Sequence, residues 1–205
     1  MAANVTVNIA TVILAAGASR RFNGCKITAQ IQNGQSLLAH SIATLKQVTQ
    51  TANIPPAAVV LGAHINDDIM TITEGLPRIM NSHWQAGLSS SVKHAVAYAI
   101  DVNADALLLV LADQVAITVD EYLSLIEAFL HKRKTCCSFY LQDVGVPAIF
   151  LADDFSALMA IEGDKGAKSV LKQHAKNNNI LMLPIENAAS DIDTPADLAH
   201  WLNQQ

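Results

Sequence analysis

Apolar and polar positions along the chain change period repeatedly, and the changes mark out alternating strands and helices. Ile9 to Ala15 is a short apolar, β-branched run, and Ser36 to Thr51 repeats its apolar residues at helical spacing. Ala57 to Gly62 is again strand-like, and the same rhythm continues with a helix over Ile65–Glu74, a short strand at Arg78–Met80 and a helix opening around Gly87. Ala106 to Ala112 is apolar at every position, so both of its faces are to be covered, which places it mid-sheet between two helical layers. A helix over Thr118–Lys134 follows, then strands over Cys136–Gln142 and Val146–Leu151 joined by Asp143-Val144-Gly145, as a hairpin or a crossover into a mixed sheet. Two short helices, a strand at Ile180–Ile185 and a helix from Pro195 finish the chain. Strands alternating with helices predict an α/β fold: a doubly wound, mostly parallel but mixed sheet with helices on both faces. No linker, repeat or low-complexity tract interrupts residues 1–205, so a single domain is expected.

Composition narrows the partners. With 15% charged residues and a formal net charge of −5, the chain lacks the broad basic face that nucleic-acid phosphates require. Cys25, Cys136 and Cys137 form no CxxC pair, which suits a reduced, cytoplasmic protein. The apolar run before Ala16-Gly17-Ala18 superficially resembles a secretory signal, but no Lys or Arg precedes it, and no stretch reaches membrane-spanning length. The seven histidines lack metal-ligand spacing and no serine lies in a GxSxG elbow, so zinc and acyl-transfer chemistry are not indicated.

Candidate chemistry begins where the first strand ends. Leu14-Ala15-Ala16-Gly17-Ala18-Ser19-Arg20-Arg21 runs on to Gly24 and Lys26, combining small residues with three cations. Small residues let backbone amides approach a polyphosphate, and the cations neutralise it, at the carboxyl edge of a sheet where α/β ligands bind. The P-loop spacing fails, because Phe22 stands five residues after Gly17, and no GxGxxG is present. The competing description is a glycine-containing loop with solvated arginines. Asp113, directly after the all-apolar strand, suits Mg²⁺ held by one or two carboxylates together with phosphates, but aspartates also terminate strands and cap helices. Asp191 and Asp193 alternate before Thr194-Pro195-Ala196-Asp197, so they share a face, while Thr194 and Asp197 match a capping box. Trp84 to Ser91 places exposed amides and hydroxyls at a helix start, where they either bind a ligand or merely cap, with Ser89 or Ser90 as the cap. Lys165 and Lys168 are acceptor-phosphate candidates or simply solvated surface lysines.

These segments resemble the MobA-like nucleotidyltransferases. Leu14-Ala15-Ala16-Gly17, Ser19-Arg20-Arg21, Gly24 and Lys26 are similar to the LAAGxSxRxGxxK signature, with one residue instead of two between Gly24 and Lys26. Leu111-Ala112-Asp113-Gln114 resembles LADQP with Val115 for proline, and Asp191 to Leu198 resembles DxDTPxDL. Asn81 to Val92 is similar to NPxWxxGMxxSL, while Gly145 to Phe150 and Gly163 to Lys168 resemble GxPxxF and GDxGAR. The resemblance implies a nucleotide-diphospho-sugar-transferase-like, Rossmann-type sheet. It also implies that the amides of residues 14–17 and 19, with Arg20, hold a nucleoside triphosphate, and that Lys26 meets its α-phosphate. Asp113 and Asp193, in preference to Asp191, would bind Mg²⁺, and Gly87, Ser90 and Ser91 would contact the base. Ala16 points to the molybdenum-cofactor cytidylyltransferase branch, hence CTP, a molybdopterin acceptor and a client molybdoenzyme. Alternatives are transfer to a sugar phosphate or other small phosphate, or a non-catalytic nucleotide-binding cofactor carrier.

Overall fold

The computed structural model describes residues 7–31 and 34–204. It forms one seven-stranded sheet in the order β3-β2-β1-β4-β6-β5-β7. The strands are β1 (Ile9–Ala15), β2 (Ala58–Leu61), β3 (Arg78–Met80), β4 (Ala106–Leu111), β5 (Cys136–Tyr140), β6 (Asp143–Leu151) and β7 (Leu181–Pro184). Only β6 runs against the others, pairing antiparallel with β4 and β5. The helices are α1 (Leu37–Thr51), α2 (Asp67–Ile72), α3 (Leu88–Asp101), α4 (Val119–Lys132), α5 (Phe155–Met159), α6 (Lys168–Lys176) and α7 (Pro195–Asn203).

Strand alternation sorts the side chains into two layers. From β1 and β4, Ile9, Ile13, Leu108 and Val110 face α1 and α4, where they meet Leu38, Leu45, Leu125 and Phe129. Their neighbours Val12, Leu14, Leu107 and Leu109 face the opposite layer, built on Val92 and Val96 of α3, Leu158 of α5 and Leu171 of α6. The apolar run ahead of Gly17 is therefore the buried strand β1, although residues 1–6 lie outside the described chain. Among the described residues no helix is long and apolar enough to cross a membrane.

Helix starts follow local chemistry. The Ser36 side chain accepts from the Ala39 amide, and Asn66 does the same for Ile69. Thr118 with Glu121 and Thr194 with Asp197 form capping boxes, the latter with Pro195 in the first turn. Two expectations need correction. Asp143-Val144-Gly145 is not a connection: Tyr140 pairs with Asp143, and the turn is Leu141-Gln142, both left-handed at φ 49° and 59°. That two-residue geometry matches the right-handed twist of a hairpin. Nor does Ser89 or Ser90 cap α3; the N-cap is Gly87 at φ 93°, with no side-chain cap.

Because β4 is covered on both sides, Leu108→Ala and Leu109→Ala, which face opposite layers, are each expected to lower stability by about 2–5 kcal/mol. Chemical denaturation of both variants tests this, and a near-neutral result for either would mean that one face of the strand is open.

Candidate active site

At the carboxyl edge of β1 and β4 the chain leaves a cleft of about 520 Å³, lined by residues 14–21, Lys26, Trp84, Gln85, Gly87, Leu88, Ser91, Asp113, Asp164, Asp191 and Asp193 among others. The loop after β1 is one wall. Ser19 turns it through a left-handed φ of 53°, its carbonyl accepts from the Phe22 amide at 2.9 Å, and its hydroxyl accepts from the Lys26 amide at 3.3 Å. The amides of residues 17–20 donate to no described residue, which leaves a run of free N–H groups beside the cleft. A single turn of 3-10 helix, Lys26–Thr28, buries Ile27 and sends Lys26 inward.

The Lys26 ammonium donates to Asp113 Oδ2 at 2.5 Å and to Asp193 Oδ1 at 2.8 Å, while Arg21 donates to Asp193 Oδ2 at 2.8 Å. Burial alone would lower the Lys26 pKa, but the adjacent Asp113 and then Asp193 outweigh it and hold it above its ordinary value. The side chains of Lys26 and Asp113 are only 14% and 16% exposed, so this pair is shielded from the screening that weakens surface ion pairs.

Asp191 and Asp193 reach the cleft for the reason their spacing suggested. Ile192 between them is buried against Ile31, Leu37 and Val115, and its amide donates to the Asp113 carbonyl at 3.1 Å. With Ile192 turned inward, its two neighbours turn to the cleft. Asp191 is pushed up to about 6, chiefly by burial of its carboxyl against the cleft wall, and further by the charges of Asp113 and Asp193.

The donor set fits a hard cation. Asp113 Oδ1 is buried without a partner, and its neighbours are carboxylates, the oxygens Mg²⁺ prefers. Among the described residues no group of three or more His, Cys, Asp or Glu is arranged to hold a metal, and the Lys26 ammonium lies between the two best-placed carboxylates.

The other predicted residues divide. Leu14 to Gly17, Ser19, Arg20, Gly87 and Ser91 line the cleft. Ser90 is buried behind it, donating to the Gly87 carbonyl at 3.0 Å and accepting from Asn81. Neither Lys165 nor Lys168 lines it; Lys168 pairs with Asp143 at 3.0 Å, and Lys165 borders a separate shallow depression. Asp164 takes the place expected of those lysines, and Trp84, Gln85 and Leu88 complete the far wall. Gly87 is forced by that wall, since a Cβ there would lie 2.5 Å from the Gly163 carbonyl oxygen.

The Asp191 shift carries a pH signature in metal-free protein. Its folded pKa, about 6, lies above the ordinary 3.8, so its contribution to stability is present below pH 4 and is lost as pH rises through 6. Asp191→Asn is therefore expected to match the parent near pH 4 and to exceed it in Tm from pH 6 upward, with chelator present. A Tm difference that does not change over that interval contradicts the assignment.

Residues 11–178 match the MobA-like NTP transferase domain family model. Among solved structures, one similar to this chain is a homologue, from Mycobacterium sp. strain JC1, of the Mycobacterium tuberculosis protein Rv0371c. It is 25% identical with a TM-score of 0.75, over 96% of this chain and 98% of that one. Rv0371c itself, solved in complex with manganese, is 20% identical with a TM-score of 0.71, over 97% and 100%. The 4-diphosphocytidyl-2C-methyl-D-erythritol synthase of Anaerococcus prevotii is 16% identical with a TM-score of 0.75, over 97% and 96%. No curated protein matches. With the family model spanning most of the sheet and the loop after β1 within it, the chain belongs to the MobA-like NTP transferase family and is a nucleotidyltransferase.

Proposed function

We propose that this nucleotidyltransferase transfers CMP from CTP to the phosphate of a molybdopterin-type acceptor, with Mg²⁺ held by Asp113 and Asp193. The observation that carries the reading is the meeting of Lys26, Asp113 and Asp193 beside the free amides of residues 17–20. The amides and Arg20 bind the β- and γ-phosphates, and Lys26 moves from its carboxylates to the α-phosphate. An acceptor phosphate oxygen attacks the α-phosphorus; the new P–O bond forms as the α–β bridging bond breaks, and that electron pair leaves with pyrophosphate. The acceptor oxygen is already anionic, so no general base is required, and catalysis consists of positioning and charge neutralisation. Bound Mg²⁺ supplies further neutralisation of the phosphate oxygens.

The choice of CTP rests on Ala16 and the family branch it resembles. The Ala16 methyl is buried against Gly62, where an added Cβ would lie 2.8 Å away. Manganese in the Rv0371c structure supports a divalent cation, and the cytidylyl product named for the Anaerococcus enzyme supports cytidine nucleotides on this fold.

Pyrophosphate release is expected with CTP, Mg²⁺ and molybdopterin, and not with GTP, ATP or UTP. Release with a sugar phosphate in place of molybdopterin would reassign the acceptor, and nucleotide binding without release under any condition would favour a carrier. Asp113→Ala is expected to lower kcat by about 10²–10³ without loss of fold, as removal of one transition-state charge contact does. Lys26→Met should act comparably, and unchanged turnover in either variant would remove that residue from the mechanism.

A further inference from the structure

Three consecutive residues after β2, outside the cleft, grip the loop that follows β1. Gly62 packs so closely that a Cβ would stand 2.8 Å from the Ala16 Cβ and 3.0 Å from the Ala16 carbonyl oxygen. The Ala63 amide donates to the Ala16 carbonyl at 3.1 Å, and His64 Nε2 lies 3.1 Å from the Ala18 carbonyl. A carbonyl oxygen only accepts, so Nε2 carries the proton and donates.

In a trans peptide, the carbonyl of one residue and the amide N–H of the next point in opposite directions across one plane. Drawing the Ala16 and Ala18 carbonyls towards residues 63 and 64 therefore turns the Gly17 and Ser19 N–H groups away from them. Both amides belong to the cleft-lining run that has no described acceptor. We propose that His64 is a positioning residue, which fixes the Ala18–Ser19 peptide so that its amide is aimed at the nucleotide's polyphosphate. The inference rests on the phosphate-binding reading of this loop, and it assigns His64 no contact with substrate.

Titration calorimetry on the full chain, with inorganic tripolyphosphate, CTP and CMP in turn, tests the assignment. His64→Ala removes the donor and leaves the amide free to swing, so tripolyphosphate and CTP affinity should fall by about 3- to 10-fold, the range of one neutral hydrogen bond. CMP affinity should change less than 2-fold, because CMP lacks the outer phosphates. His64→Gln, whose side-chain amide also donates, should restore most of the loss. In turnover the alanine variant should raise KM for the nucleotide with kcat nearly unchanged. Equal weakening of CMP and tripolyphosphate, no change for either, or no rescue by glutamine would overturn the role of His64. Failure of the parent protein to bind tripolyphosphate at all would instead overturn the phosphate-loop reading, and this inference with it.

Discussion

The Lys26 ammonium ties together three stretches that are far apart in sequence: the loop after β1, the end of β4 at Asp113, and the segment around Asp193 that leads into α7. Each stretch is held independently up to that point. Lys26 is anchored by its buried neighbour Ile27, Asp113 follows a strand buried on both faces, and Asp193 is set by the inward turn of Ile192. Where the three converge, Asp113, Asp191 and Asp193 would face one another across a partly buried edge, and their mutual repulsion is what raises Asp191 beyond the effect of burial. The ammonium and Arg21 offset part of this. Losing Lys26 would leave two carboxylates close together with one fewer cation, the situation in which breaking a partly buried pair costs most.

The fold was legible where side-chain pattern and local chemistry agree. β1 matches its apolar run at both ends, because a strand buried on both faces has no polar residue to blur its limits. The capping boxes of α4 and α7 are readable as Thr-x-x-Glu and Thr-x-x-Asp. The β5–β6 hairpin was one of the two connections expected, but its turn was not readable, because Leu141 and Gln142 adopt left-handed conformations that turn sequences normally assign to Gly or Asn. The loop residues Asp143 to Gly145 looked like the turn because they have turn chemistry. In the structure Gly145 is there to let the Tyr140 ring lie across the strand.

The site divides along the same line. Residues that line the cleft from the ends of buried strands, Asp113 and the loop from Leu14 to Ser19, follow from the strands themselves. Asp191 and Asp193 follow from alternation about an apolar residue. Lys165 adjoins a residue that does face the cleft, Asp164, and a short segment without helical or strand periodicity gives no sign of which neighbour turns inward, while Lys168 opens α6 and pairs with Asp143. His64 and Gly62 carry no local signal at all. Their significance lies in a contact between the loops of two parallel neighbours, β1 and β2, and such contacts appear only once the register of the strands is known.

The absence of a helix start in the loop after β1 explains why the cations are arranged as they are. In a P-loop the amides that cradle phosphate also begin a helix, whose dipole contributes fixed positive potential. Among the described residues, the loop passes into a three-residue 3-10 turn, Lys26–Thr28, and α1 begins at Leu37. Bare amides carry partial charges only, so on the proposed function full neutralisation of a polyphosphate would fall to the side chains of Arg20, Arg21 and Lys26. Cations beside a cleft need partners when no phosphate is bound, and Asp113 and Asp193 provide them for Lys26 and Arg21. The same carboxylates are the oxygens suited to a divalent cation. On the proposed function, a polyphosphate that drew Lys26 and Arg21 away would free the acidic pair, and a cation on that pair would release Lys26 and Arg21 in turn. By linkage each event would then favour the other by the same free energy, with these ion pairs as the coupling element.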